Sequence, residues 1–216
     1  MILLGIDTCG QTGSIALGRQ EGESLFLLGQ AEFSGGEYAA AIVKGIADIL
    51  ESVGLAVNDL NGIVVVMGPG TFTGIRIGLS TAKGLAEALN LPVVAISRLA
   101  LLASLAQTNC AALDAHRGQV FLGLYGDGAT REVLVTAGEF TTVSRLPGLA
   151  AFCEESVAHL LETVVTEVEL VRTTPPNAAD ALKFSLSRWL TEEFVDLATL
   201  DGYYLRGAEA KLAALR

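Results

Sequence analysis

The stretch from Asn61 to Ser97 constrains the fold more than any other part of the chain. "NGIVVVMG" is apolar at successive positions, and a strand without a polar face belongs in a sheet covered on both sides. It runs into a Gly-Pro-Gly turn, then a helix reading "TFTGIRIGLSTAKGLAEAL", then "LPVVAIS", a second strand of the same kind. Ser97 follows as the expected N-cap of a helix beginning "RLALLASLA". Strands of this composition alternating with helices define an α/β architecture.

The flanking sequence extends this unit and then repeats it. "ILLGID", "GSIALG" and "SLFLLGQAEF" predict three strands ahead of a helix, "GGEYAAAIVKGIADILESVG", that stops at Gly54. In that helix Ile42, Val43, Ile46, Ile49, Leu50 and Val53 recur at helical spacing, opposite a polar stripe of Glu37, Lys44, Asp48 and Glu51. "CAALDAHRGQVFLGLYG" then echoes "LLGIDTCGQTGSIALG": Asp114 stands where Asp7 stood, and Gly118 leads into a strand as Gly13 does. "TREVLVTAGEF" and "TVVTEVELV" predict further strands, and "PPNAADALKFSLSRWLTEEF" a helix with proline at its start. The expected fold is a duplicated α/β unit, two lobes of mixed sheet with flanking helices, spanning 1–102 and 103–216.

Composition removes several function classes. At 216 residues, 51% hydrophobic and a mean hydropathy of +0.50, the chain can fill its cores and leave apolar surface for a partner. Its longest greasy stretch, "LPVVAISRLALLASLA", is interrupted by Arg98 and falls short of the roughly 20 residues a spanning helix needs. "MILLGIDTCG" lacks the basic flank and cleavage site of a signal peptide. Cys9, Cys110 and Cys153 are scattered without a C-x-x-C, which predicts neither a disulfide framework nor a zinc knuckle. A reduced, cytoplasmic protein is expected. The formal net charge is −10, and the 14 Lys and Arg residues form no run. Nucleic acid needs a concentrated basic face, so any RNA would be brought by another chain.

The motifs are as informative for what they lack. The turn at Gly68–Gly70 matches neither G-x-x-x-x-G-K-[ST] nor G-x-G-x-x-G, since Thr73 stands where the third glycine belongs. Backbone N–H groups at the helix start still attract anions, which keeps Gly68, Gly70 and Thr71 as candidate nucleotide-proximal residues. Asp7 and Thr8 join them, because an Asp ending a first strand before a glycine-bearing hairpin suits phosphate and magnesium. His116 and His159 form no H-x-x-x-H pattern, and no nucleophile–base–orienter set can be assembled. Catalytic and metal-ligating residues are therefore assigned to none. Within the second helix Gly74, Gly78, Thr81, Gly84 and Ala88 follow spacings of three and four. Each interior glycine costs roughly 1 kcal/mol relative to alanine, so a row of them implies close approach of another backbone. Intrachain and intersubunit packing both satisfy that requirement.

"GPGTFTGIRIGLSTAKGLAEALNLPVVAISRLALLA" closely resembles the central segment of the TsaB (YeaZ) family, and "ILLGIDTCG", "ALDAHRGQVFLGLY" and "YYLRG" match other landmarks in order. The resemblance implies the actin/Hsp70/sugar-kinase (ASKHA) fold and a non-catalytic relative of TsaD. In that family the chain supports transfer of threonylcarbamoyl to the adenosine 3′ of the anticodon, in tRNAs reading codons that begin with A. It implies TsaD as direct partner, TsaE as a further one, a homodimer when alone, and tRNA contact only through the complex. No cofactor is expected for the isolated chain, with ATP or ADP only within the complex. The first two helices would be the docking pair, through Tyr38, Ile42, Gly45, Ile46, Arg76, Ile77, Gly78, Thr81, Gly84 and Ala88. This predicts that Gly78→Leu and Gly84→Leu leave the monomer's melting unchanged and abolish docking. "FSGGEYA" departs from the family's usual entry to the first helix, as Cys9 does from its usual serine. An active small-molecule kinase or ATPase of the same fold would instead use Asp7 for magnesium, but Asp114-Ala115-His116 lacks the second D-x-G hairpin. The related "glycoprotease" label would require metal ligands.

Overall fold

The computed structural model describes residues 1–34, 38–126, 129–136, 139, 149–162 and 169–205. Two five-stranded sheets carry the same plan. In the first, β1 (Ile2–Asp7), β2 (Gly13–Glu21), β3 (Ser24–Phe33), β4 (Gly62–Val66) and β5 (Val93–Ile96) take the order β3-β2-β1-β4-β5. In the second, β6 (Cys110–Asp114), β7 (Gln119–Gly126), β8 (Ala129–Thr136), β9 (Leu149–Phe152) and β10 (Glu169–Arg172) take the order β10-β9-β6-β7-β8. Each opens with two antiparallel pairings and continues with two parallel ones. The duplication expected from the two Asp-turn echoes is therefore a duplication of topology.

Helix α1 (Tyr38–Ser52) and α2 (Phe72–Leu89) cover one face of the first sheet. Ile15 lies beneath Gly45 of α1, Ile6 and Thr8 lie beneath Gly78 of α2, and Ile6 and Ile15 are paired neighbours in the sheet. The opposite face takes α5 (Ala178–Phe184), whose Ala178 and Leu182 sit against Gly5. All five residues of β4 are buried, as expected for a strand covered on both sides. Thr71 caps α2, accepting the Gly74 N–H on its hydroxyl, and Asn90 ends it in the left-handed region at φ 54°.

The second sheet carries α3 (Arg98–Leu105) and α4 (Glu155–Glu162). Val120, Leu122, Val133, Val135, Phe152, Val157 and Leu161 fill one layer of its core; Leu99, Leu102, Leu113 and Phe121 fill another.

The two compact units divide the chain differently from the expected 1–102 and 103–216. Among the described residues the first comprises Met1–Ser97 and Asn177–Gly202, and the second comprises Arg98–Pro176 with 203–205. Residues 177–202 return to the first unit because α5 and α6 (Leu186–Leu190) bury apolar residues there. Ala178, Ala181 and Leu182 are fully buried. The Trp189 ring of α6 fills the space above Gly62, where even a Cβ would overlap it. The helix expected over "PPNAADALKFSLSRWLTEEF" is two short ones, broken at Ser185, and it starts from an Asn177–Asp180 capping box instead of from proline. Strand β9 and helix α4 were not anticipated. Of "TVVTEVELV" only Glu169 onward lies among the described residues, and the altered entry to α1 at residues 35–37 lies outside them.

Candidate interaction face and the two aspartate turns

The Asp7 turn is packed against the start of α2. Asp7 ends β1 fully buried, and its Oδ1 accepts the Cys9 N–H at 2.9 Å. Thr8, also buried, donates its hydroxyl to the Gly74 carbonyl at 2.6 Å. The Thr71 N–H reaches the Cys9 carbonyl at 2.8 Å, and the Cys9 thiol donates to the Val66 carbonyl at 3.2 Å. Three glycines make this approach feasible. A Cβ on Gly70 would lie 2.2 Å from the Cys9 carbonyl oxygen, one on Gly74 would lie 1.9 Å from that of Thr8, and one on Gly78 would lie 2.4 Å from the Thr8 hydroxyl. Gly68 precedes them at φ 117°, a conformation suited to glycine.

The candidate nucleotide-proximal set is thus brought together, but its groups are engaged with one another. Thr8 and Thr71 spend their hydroxyls on α2, and the space beside Gly70 is filled by the Cys9 backbone.

The residues expected to dock a partner divide into two groups. Ile42 and Ile46 face the sheet and are buried, and Gly45 opposes the Phe33 ring, 2.5 Å from where its Cβ would stand. Gly78 is buried against Thr8. Ile42, Ile46 and Gly78 belong to the monomer's core, which corrects their assignment to a docking surface, and Gly45 is half-buried against Phe33. Tyr38 begins α1, and its side chain lies outside the described residues. Arg76, Gly84 and Ala88 are exposed, with Ile77 and Thr81 half-buried beside them. A Cβ at Gly84 would meet nothing within 4 Å.

Two residues on this outer face were missed. Val43 is 65% exposed and Phe72 is 60% exposed, with the Arg76 guanidinium 5.1 Å above the Phe72 ring. For Val43 the signal was present: Ile42, Ile46, Ile49 and Val53 complete an inward line, from which Val43 is rotated by about 100°. The two helices cover one face of the sheet, and Val43 on the first and Phe72 at the start of the second are each exposed.

The second unit's turn is built differently. Asp114 ends β6, and its Oδ1 accepts the His116 N–H at 2.6 Å. His116 and Arg117 both adopt left-handed backbone, at φ 58° and 55°, and Gly118 follows at 73°. The carboxylate of Glu154 accepts the Asp114 N–H at 2.5 Å. No helix glycine packs on this turn among the described residues. Among those residues no group of three or more His, Cys, Asp or Glu is placed to hold a metal, and no helix is long and apolar enough to cross a membrane.

Two mixed sheets of identical order, each flanked by helices, define a duplicated α/β protein of the actin/Hsp70/sugar-kinase class. At the level of fold alone, the Acidaminococcus fermentans (R)-2-hydroxyglutaryl-CoA dehydratase component A is similar, with a TM-score of 0.52 and 10% identity over 89% of this chain and 99% of that one. The family model described as TsaD, tRNA N6-adenosine threonylcarbamoyltransferase, matches residues 32–200. The Bacillus subtilis tRNA threonylcarbamoyladenosine biosynthesis protein TsaB is 36% identical over 129 residues, covering 58% of this chain and 55% of that protein. The match thus spans about half the length of that relative. YeaZ from Pseudomonas aeruginosa superposes with a TM-score of 0.75 and 25% identity over 94% of this chain and 99% of that one. The chain belongs to this threonylcarbamoyladenosine family, in its TsaB (YeaZ) branch.

Proposed function

We propose that the chain is the non-catalytic partner subunit of a tRNA threonylcarbamoyl transfer complex. It docks on a TsaD-type subunit through the outer face of α1 and α2, and TsaE joins the assembly. In the absence of TsaD a second copy takes the same face. The observation that carries the reading is the exposure of Val43 on α1 and Phe72 at the start of α2, together with the open Gly84 in the second half of α2. Apolar side chains left exposed on a helix pair offer contact area to a partner. The Asp7 turn supports a scaffold over a kinase, since the Thr8 hydroxyl and the Asp7 Oδ1 are engaged inside the monomer. ATP or ADP enters only with the assembled complex, and the setting is cytoplasmic.

With a formal net charge of −10, the chain meets tRNA only through its partners. The test combines TsaD, TsaE, tRNA, ATP and an activated threonylcarbamoyl donor in a transfer assay with and without this chain, alongside fluorescence anisotropy of tRNA with the chain alone. Transfer that depends on the chain, with no tRNA binding by the chain itself, is expected. Transfer catalysed by the pure chain, or tight salt-sensitive tRNA binding by it, would overturn the proposal.

A further inference from the structure

Among the described residues, two dipeptides set a side-chain carbonyl carbon one residue ahead of a glycine nitrogen, Asn61–Gly62 and Asp201–Gly202. Glycine leaves that nitrogen open to close approach, because no Cβ stands beside it. Its attack on the side-chain carbonyl closes a five-membered succinimide, with loss of ammonia from Asn or water from Asp. In an unstructured chain at neutral pH the Asn–Gly pair reacts faster, since a carboxylate is a poor electrophile.

The fold treats the two pairs in opposite ways. The Asn61 Oδ1 accepts the Ile2 N–H at 2.6 Å, and the Asn61 N–H donates to the Ile2 carbonyl at 2.8 Å. Gly62 is buried at the start of β4, in register with Leu3 and beneath the Trp189 ring. Turning the Asn61 side chain toward Gly62 breaks its bond to Ile2, and Gly62 has the Trp189 ring in its way. Asp201 is exposed, and neither it nor Gly202 belongs to a helix or strand. The Gly202 N–H donates to the Asp201 Oδ1 at 2.7 Å, so the nitrogen already stands beside the carboxyl carbon that carries this oxygen. Reacting atoms held this near need little further ordering to meet.

We propose that Asp201–Gly202 is a site of spontaneous aspartate isomerisation in the folded chain, whereas the intrinsically faster Asn61–Gly62 is held inert by the fold. The Gly202 nitrogen gives its proton to solvent and attacks Cγ of the Asp201 carboxyl in its acid form. The N–Cγ bond forms, a Cγ–O bond breaks, and that oxygen leaves as water. Water then reopens the ring: attack at Cγ restores aspartate, and attack at the main-chain carbonyl gives isoaspartate. One water is released and one taken up, with no oxidation or reduction. Isoaspartate carries the main chain through Cβ and lengthens it by one atom. That atom enters between two fastened residues, Leu200, whose carbonyl accepts from Lys83 Nζ at 2.9 Å, and Tyr203, which shares a side-chain hydrogen bond with Glu132 of β8.

The experiment incubates the full chain in native buffer and in urea, at neutral and mildly acidic pH, and follows two tryptic peptides. Trp189–Arg206 carries Asp201, and Gly45–Arg76 carries Asn61. Electron-transfer fragmentation locates isoaspartate in the first, and a mass gain reports deamidation in the second. In urea at neutral pH, Asn61 should convert ahead of Asp201. In the native chain the order should reverse, with Asn61 slowed by about tenfold or more because its reaction waits on local opening. Asp201 should react in the native chain at least as fast as in urea. Gly202→Ala should cut isoaspartate at 201 by about tenfold, since the added methyl shields the nitrogen. Asp201→Asn, read by its mass gain, should convert in the native chain faster than the aspartate does at neutral pH. Native Asn61 converting ahead of Asp201, Asp201 reacting more slowly native than in urea, or isoaspartate undiminished by Gly202→Ala would each overturn the proposal.

Discussion

Gly74 and Gly84 lie on one helix, yet a methyl group added at the first would sit 1.9 Å from the Thr8 carbonyl oxygen, while one added at the second would meet nothing within 4 Å. Helical geometry explains the contrast. Ten residues at 100° each return a side chain to about 80° from its starting direction, so a row that holds over one turn drifts off over three. The first half of α2 therefore uses its glycines to seat the helix on the Asp7 turn, and the second half leaves its glycine on the outer surface. Intrachain packing accounts for the glycines of the first half, and the glycine of the second half is left open to the outside.

The largest effect should come from the inner half. Gly74→Ala forces a methyl group into a backbone oxygen that has nowhere to rotate, and overpacking of this kind costs typically about 1–3 kcal/mol or more. Gly78→Leu drives a larger group against Thr8 and should lose at least as much. This reverses the expectation that the melting of a Gly78 variant stays unchanged. Calorimetry on dilute protein checks both; a wild-type melting temperature in either would mean that α2 does not sit on Thr8 and Cys9.

The outer half should behave oppositely. Gly84→Leu projects a side chain into solvent, so unfolding free energy should move by no more than about 0.5 kcal/mol. Association with TsaD should weaken by about tenfold or more, equivalent to roughly 1.4 kcal/mol. Titration calorimetry beside thermal melting separates the outcomes. Unchanged affinity would move the docking surface off this half of α2, whereas a large stability loss would place Gly84 in the core after all.

The sequence carried the division into elements well where apolar runs were long and bounded by glycine, as in β4, α2 and β5. It failed at β9, whose "LAAF" has little intrinsic strand preference. Pairing of Ala151 with Ala111, a residue forty positions earlier, decides that segment. The return of residues 177–202 to the first unit was equally invisible. It depends on Gly5, Gly18 and Gly62 leaving room for Leu182 and Trp189. Of the residues that the family resemblance named on the two helices, Arg76, Gly84 and Ala88 are exposed, whereas Ile42, Ile46 and Gly78 are buried. Ile42 and Ile46 were named because they are apolar, and periodicity had already committed them to the sheet.

A smaller change probes the contact between the turn and the inner half. Thr8→Val preserves shape and removes the hydroxyl that donates to the Gly74 carbonyl at 2.6 Å. Losing a buried hydrogen bond of this type costs about 1 kcal/mol. The Gly74 carbonyl is left with one partner fewer. Chemical denaturation should show a lower midpoint with an unchanged slope. Equal midpoints for valine and threonine would reduce Thr8 to a space-filler beneath the glycines.

The smallest effect is also the most discriminating between the halves, because it should be a gain. Alanine is favoured over glycine in a helix interior by up to about 1 kcal/mol, through the backbone freedom that glycine loses on folding. At Gly74 that gain is overwhelmed by the clash with Thr8; at Gly84 nothing opposes it. Gly84→Ala should therefore raise the melting temperature of the isolated chain by a few degrees. If a partner backbone approaches this position closely, the same methyl group should weaken association with TsaD, though less than leucine does. A variant that melts higher and binds less tightly would show that the outer half of α2 is kept small for a partner at a cost to its own stability. If it melts higher and binds equally well, the partner's closest approach lies nearer the Phe72 end, where Phe72→Ala becomes the change to measure.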